Sequence, residues 1–268
     1  MGTSQSKPSA RPGSPLVPSW AAADPPPADA ANLPQLPPAD ETQQPDEIIP
    51  PRRHANFRRA LKQFMRSGNR DDARRALGHY SRGSAGSGSG GAQRMARASK
   101  VGGGVISALS NAVAGNTVAS NGFDLASLTG RPVQDAINEI VDAFCPPGII
   151  DEDILRASIG EALVEALDGL DKFDLAALDD HAVVVATRAF IAEMVFSSIS
   201  ADQGQSVGSV SPQEAVIREN DLRILVCEVT DAKATPALQQ AGSSLSQTQV
   251  EGLIHSIVET VFGEMSKW

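Results

Sequence analysis

The chain has 268 residues, a formal net charge of −9, 41% hydrophobic but only 4% aromatic residues, and two cysteines. That length allows one or two domains with a real core, and the scarcity of aromatics beside abundant alanine points to helices packed through small and aliphatic side chains. Cys145 and Cys227 lie far apart in apolar stretches, which excludes a disulfide framework and a cysteine metal site and fits a reducing, cytoplasmic compartment; no signal peptide is expected, because the N-terminus has no apolar heart.

The chain begins Met1-Gly2-Thr3-Ser4-Gln5-Ser6. A small second residue permits removal of Met1, leaving Gly2 with a bare α-amine that titrates near pH ~8 and is therefore partly nucleophilic in the cell. Residues 1–51 are low in complexity and interrupted by Pro25-Pro26-Pro27, Pro34, Pro37-Pro38 and Pro50-Pro51, which oppose helix and sheet; a disordered, Pro-rich arm is expected. One island stands out in it. Leu16, Val17, Pro18 and Trp20, framed by prolines, make a poor core element and a good short docking motif, since tryptophan so often anchors interfaces.

Residues 52–82 read as a basic helical hairpin. Phe57, Leu61, Phe64 and Met65 recur at helical spacing, Ser67-Gly68-Asn69 breaks the run, and Ala73, Ala76, Leu77 and Tyr80 line a second apolar face. Arg58, Arg59, Lys62, Arg66, Arg74 and Arg75 cover the other sides as a basic surface. From Arg52 to Lys100 about thirteen Lys or Arg face only Asp71 and Asp72, leaving about −20 for the remainder of the chain; such asymmetry marks an interaction surface or two regions that attract each other.

Residues 83–91 form a Gly/Ser linker, and residues 92–268 read as a helical domain. Helices are expected over Val101–Ala114, Val133–Phe144, from Asp151 through Leu167, from Asp179 through Val195 and beyond, after Ser211-Pro212-Gln213-Glu214, and over Ser246–Phe262. Leu222–Val229 is ambiguous between helix and strand and is assigned to helix by its neighbours. The most apolar run, Ala182–Ile199, contains Arg188 and Glu193 and is too short and too charged for a membrane span, so a buried helix is expected. The fold class is therefore all-α, with the arm, the hairpin and the helical domain in that order.

No catalytic constellation emerges. His181 beside Asp179 and Asp180, and Glu251, His255 and Glu259 on one helical face, read as solvated polar positions; no metal and no cofactor is expected. Gly102-Gly103-Gly104 precedes no Lys-Ser or Lys-Thr pair, so it is no P-loop and allows a bend or close helix packing. Two binding roles stand beside acyl transfer to Gly2. Gly2 with Ser6 also fits N-myristoylation of a peripheral membrane protein, although one chain anchors weakly and no polybasic patch lies near it. The basic hairpin fits a nucleic-acid-binding adaptor, although no base-stacking cluster accompanies it.

Met1-Gly2-Thr3-Ser4, Pro15-Leu16-Val17-Pro18 with Trp20, and Arg74-Arg75-Ala76-Leu77-Gly78-His79-Tyr80 resemble the QatB family, components of bacterial Qat anti-phage defence operons. The resemblance is strongest over the first hundred residues. It implies three neighbours, a QueC-like protein, an ATPase and a TatD-like nuclease. A QueC-like fold activates a deazaguanine carboxylate as an acyl-adenylate and passes it to an amine. The resemblance thus implies a non-enzymatic, cytoplasmic protein that binds the QueC-like partner and is modified by it. Gly2 would be the acceptor, Thr3 and Ser4 would pass a narrow tunnel, and the Leu16–Trp20 island would dock the arm.

Overall fold

The computed structural model describes residues 54–84, 90–145, 147–148, 151–241 and 245–268. Among them the architecture is all-α: α1 (Ala55–Ser67), α2 (Arg70–Ser84), α3 (Gly90–Val113), α4 (Val133–Phe144), α5 (Glu152–Ala166), α6 (Asp180–Asp202), α7 (Pro212–Ala241) and α8 (Gln247–Met265). The arm, residues 1–51, lies outside the described residues.

Local chemistry sets the helix ends. The Asp179 carboxylate accepts from Ala182 N (2.8 Å) and starts α6. Ser246 and Gln249 form a reciprocal capping box at α8. At α7, Pro212 occupies the first helical position, and the Glu214 carboxylate accepts from the Ser211 hydroxyl (2.7 Å) and amide (3.2 Å), which holds its pKa below the usual range. The ambiguous run Leu222–Val229 lies inside α7 and is helical.

Two features differ from the sequence reading. α3 begins at Gly90, well before Val101, because Met95, Ala98 and Ser99 bury themselves in register with Val105, Ile106 and Leu109 and carry the helix back to the glycines. The connections on either side of α4 and α5 also contain short 3-10 turns, Leu125–Leu128 and Leu175–Ala177. Each is started by an aspartate, Asp124 or Asp174, that accepts a backbone N–H two residues on.

α6 is the centre. It packs against α3, α5, α7 and α8, and Ala186, Phe190, Ile191, Met194, Val195 and Ile199 are almost fully buried. By length and composition α6 is apolar enough to cross a membrane, but 72% of its most apolar window is buried against the other helices, as a core helix requires. The close approach of α3 depends on glycine. A Cβ on Gly102 would come within 2.8 Å of Phe190 Cδ1 and nearer still to two other ring carbons, and one on Gly103 would lie 3.3 Å from the Glu251 backbone.

One charge is taken into this packing. Glu193 on α6 is 8% exposed, pairs with Arg223 of α7 (2.8 Å) and accepts from Ser197 Oγ (3.0 Å). Burial pushes its carboxyl above the ordinary range, against the opposing pull of Arg223 and Ser197. A carboxyl with a raised folded-state pKa favours the fold below its unfolded pKa, and that contribution is lost as pH rises through the folded value. Arg223→Ala removes the compensating cation. Its melting deficit is therefore expected to be small in mild acid and to grow as pH rises through the raised carboxyl pKa. A deficit independent of pH would mean that the loss is the stacking of Arg223 on Phe196 (4.6 Å), not the ion pair.

The hairpin shares the core. Phe57, Leu61, Phe64 and Met65 of α1 meet Ala73, Ala76, Leu77 and Tyr80 of α2, all buried, and the same apolar cluster continues into α6, α7 and α8. The Tyr80 hydroxyl donates to Ser198 O (3.0 Å), and the Ser81 hydroxyl donates to Phe262 O.

Candidate functional site

Gly2, Thr3, Ser4, Leu16, Val17, Pro18 and Trp20 lie outside the described residues. The described body begins at His54, which is fixed in place: its ring stacks on Tyr80 at 5.2 Å, and its Nε2 lies 3.7 Å from the Asp202 carboxylate at the end of α6. Arg58, one turn on, donates from Nε to Asp202 O (3.0 Å), and its own carbonyl accepts from Ser206 Oγ (3.1 Å).

The structure divides the hairpin's exposed cations into two groups. Arg58, Arg70, Arg74, Arg75 and Arg82 are engaged within the chain. Arg75 lies 3.2 Å from Asp72, and Arg74 lies 3.7 Å from Asp71 and holds its guanidinium 5.8 Å from the centre of the Trp268 ring. Asp72 is nearly buried, and its two oxygens also accept from Gln63 Nε2 (3.0 Å) and Ser67 Oγ (2.7 Å). Both acids of the basic window are thus answered by neighbours on α2.

Arg59, Lys62 and Arg66 form the other group. Their spacing places them on one face of α1, a stripe about 10 Å long at 1.5 Å per residue. They have no acidic partner among the described residues and line, with Gln63 and Ser67, an open groove of about 480 Å³. Three cations on one face of α1 are thus left without an acidic partner among the described residues. Arg66 belongs to the stripe on equal terms with Arg59 and Lys62. Its helical spacing from Lys62 is the signal that brings it in.

The chemistry elsewhere is quiet. Burial pushes both the Cys145 and the Cys227 thiols above their ordinary range, so neither is a ready thiolate. His181 is exposed in the first turn of α6, and His255 meets only Glu259, at 3.4 Å. Among the described residues no group of three His, Cys, Asp or Glu side chains is placed to hold a metal. A cavity of about 250 Å³, lined by Ile106, Val183, Leu238, Val250 and Leu253 together with Ser110, Asp180, Thr187 and Gln239, opens between α3, α6, α7 and α8.

No curated protein and no solved structure matches the chain. Residues 86–265, which hold α3 through α8, match the family described as "Qat anti-phage system associated protein QatB". With about two-thirds of its length inside that match, the chain belongs to the QatB family and is a component associated with the Qat anti-phage system.

Proposed function

We propose that this protein is a non-enzymatic, cytoplasmic member of its defence system that binds the QueC-like protein of the same operon and serves as its substrate through Gly2. Membership of the QatB family, joined to the chemistry of Met1-Gly2-Thr3-Ser4, carries the reading. In the step proposed, the unprotonated Gly2 nitrogen attacks the acyl carbon of a deazaguanine acyl-adenylate. An amide bond forms, AMP leaves with the electron pair of the broken C–O bond, and the nitrogen loses a proton. Thr3 and Ser4 are small enough to follow Gly2 into a narrow site. Leu16, Val17, Pro18 and Trp20 seat the arm on the partner, which turns the encounter of amine and acyl group into a local event. The operon ATPase and TatD-like nuclease are further partners in this reading.

The mass of the N-terminal peptide from cells expressing the whole operon tests it. The wild-type peptide is expected to start at Gly2 and to carry the added acyl mass. Gly2→Leu is expected to retain Met1 and carry none. Leu16→Ala with Trp20→Ala should weaken binding to the QueC-like protein by about 2 kcal/mol, the scale of an interface hot spot. A bare Gly2 mass in active cells would overturn the proposal, and a tetradecanoyl mass would replace it with the lipid-anchored reading.

A further inference from the structure

The turn that follows the basic stripe of α1 is held against α7. At the α1–α2 turn, Gly68 adopts φ +63°, and a Cβ there would overlap the Arg218 guanidinium of α7. Just beyond the turn, Arg70 pairs with Glu228 of α7. These two contacts fix the turn against the same helix whose exposed apolar residues are the most conspicuous on the molecule. Val216, Ile217 and Ile224 are 58%, 54% and 54% exposed, and they are three of the five large apolar side chains left open to solvent among the described residues. Ile217 precedes Arg218 in the chain, and Ile224 lies one helical turn before Glu228, the two α7 residues that meet the turn. Of the acids near them, Asp221 faces Arg218 at 3.4 Å, Glu228 is taken by Arg70, and Glu219 accepts from Gln203 Nε2 at 3.3 Å.

We propose that this composite face, Arg59, Lys62 and Arg66 on α1 continued by Ile217 and Ile224 on α7, is a docking site for an acidic amphipathic segment of a partner protein. Carboxylates of the segment meet the three cations, and its apolar side chains cover the two isoleucines. Charge complementarity selects acidity, because the stripe has no acidic partner among the described residues. The isoleucines select an amphipathic protein segment over a nucleic acid. Phosphate backbones offer nothing apolar to cover them, and the hairpin's Phe57 and Phe64 are buried and give no stacking platform. The site is independent of Gly2, so its test does not involve modification of the arm.

The test uses the full chain and a fluorescently labelled helical peptide whose glutamates repeat at the spacing of the stripe, with leucines on the adjacent face. Fluorescence anisotropy is expected to show binding at low salt that weakens roughly tenfold or more as salt rises. The triple variant Arg59→Glu, Lys62→Glu, Arg66→Glu should remove it, and the milder Arg59→Gln, Lys62→Gln, Arg66→Gln should reproduce most of the loss. Ile217→Ser with Ile224→Ser, and separately a peptide with its leucines changed to serine, should each weaken binding roughly tenfold, or about 1.4 kcal/mol. All of these positions are exposed, and unchanged melting of each variant confirms that the fold is intact. Absence of peptide binding at low salt, or binding indifferent to charge reversal, overturns the proposal. So does a DNA duplex that binds with the same sensitivity to reversal while the isoleucine variants have no effect, because the face is then a polyanion surface.

Discussion

Gly102→Val is expected to abolish or severely lower the cooperative melting transition of the helical body. The residue sits where α3 crosses α6, and the space beyond its Cα is filled by the Phe190 ring. Phe190 is 1% exposed and cannot retreat, because α6 is enclosed by α3, α5, α7 and α8. Adding side-chain volume to a filled contact forces helices apart or side chains off their rotamers, at a cost of about 3 kcal/mol in a rigid site. That is a large share of the 5–15 kcal/mol, roughly, by which domains of this size are stable. Gly252 and Gly263 of α8 provide the control, since a Cβ at either meets nothing within 4 Å. Alanine there replaces glycine in a helix with no steric conflict and is expected to be neutral or to stabilise by up to about 1 kcal/mol. A Gly102→Val protein that melts like wild type would show that α3 is free to shift and that the glycines are not what lets the helices approach.

That use of Gly102-Gly103-Gly104 was half legible in the sequence: once a phosphate loop is excluded, three glycines beside an apolar helical pattern suit a bend or a close approach of helices, and only the packing against Phe190 decides between them. The helix starts at Asp179, Ser211 and Ser246 were legible because the capping side chain and its backbone partner are three residues apart, so local sequence contains the whole interaction. What stayed hidden depends on long-range contact. The Arg58–Asp202 bond joins residues 144 apart, and the Arg74 contact with Trp268 crosses most of the chain. Those contacts, with the local pairs of Arg74 with Asp71 and Arg75 with Asp72, separate the engaged arginines from the outward stripe of Arg59, Lys62 and Arg66. The exposure of Ile217 and Ile224 was hidden differently. α7 carries apolar residues around most of its circumference, so periodicity alone does not say which face the neighbouring helices leave uncovered. The residues proposed to react and to dock, Gly2 and Leu16 through Trp20, rest on sequence chemistry alone.

A chain beginning at residue 86, where the family match starts, is expected to lose the sharp melting transition that a chain beginning at residue 51 retains. The Gly/Ser stretch looks like a natural place to cut, yet the packing runs across it. Phe57, Leu61, Phe64, Met65, Leu77 and Tyr80 are each no more than 2% exposed and belong to the same apolar cluster as Ile199, Val261 and Met265. Removing α1 and α2 takes away their own ordering cost together with their own burial, so those contributions largely offset. What is left uncompensated is the surface they covered. Apolar side chains of α6, α7 and α8 would become exposed, at about 1.5–3 kcal/mol for each one fully uncovered. The carbonyls of Ser198 and Phe262 would lose the Tyr80 and Ser81 hydroxyls that bond them. The Arg58 and Tyr80 contacts that hold the end of α6 would go as well. Circular dichroism melting with a fluorescent probe of exposed apolar surface checks the outcome: retained helix, a broad transition and strong probe binding for the chain from 86, and a single sharp transition with little probe binding for the chain from 51. An equally sharp transition from 86 would mean that α3 through α8 close their own core. The hairpin would then be an appended element that contributes its cations and not its packing.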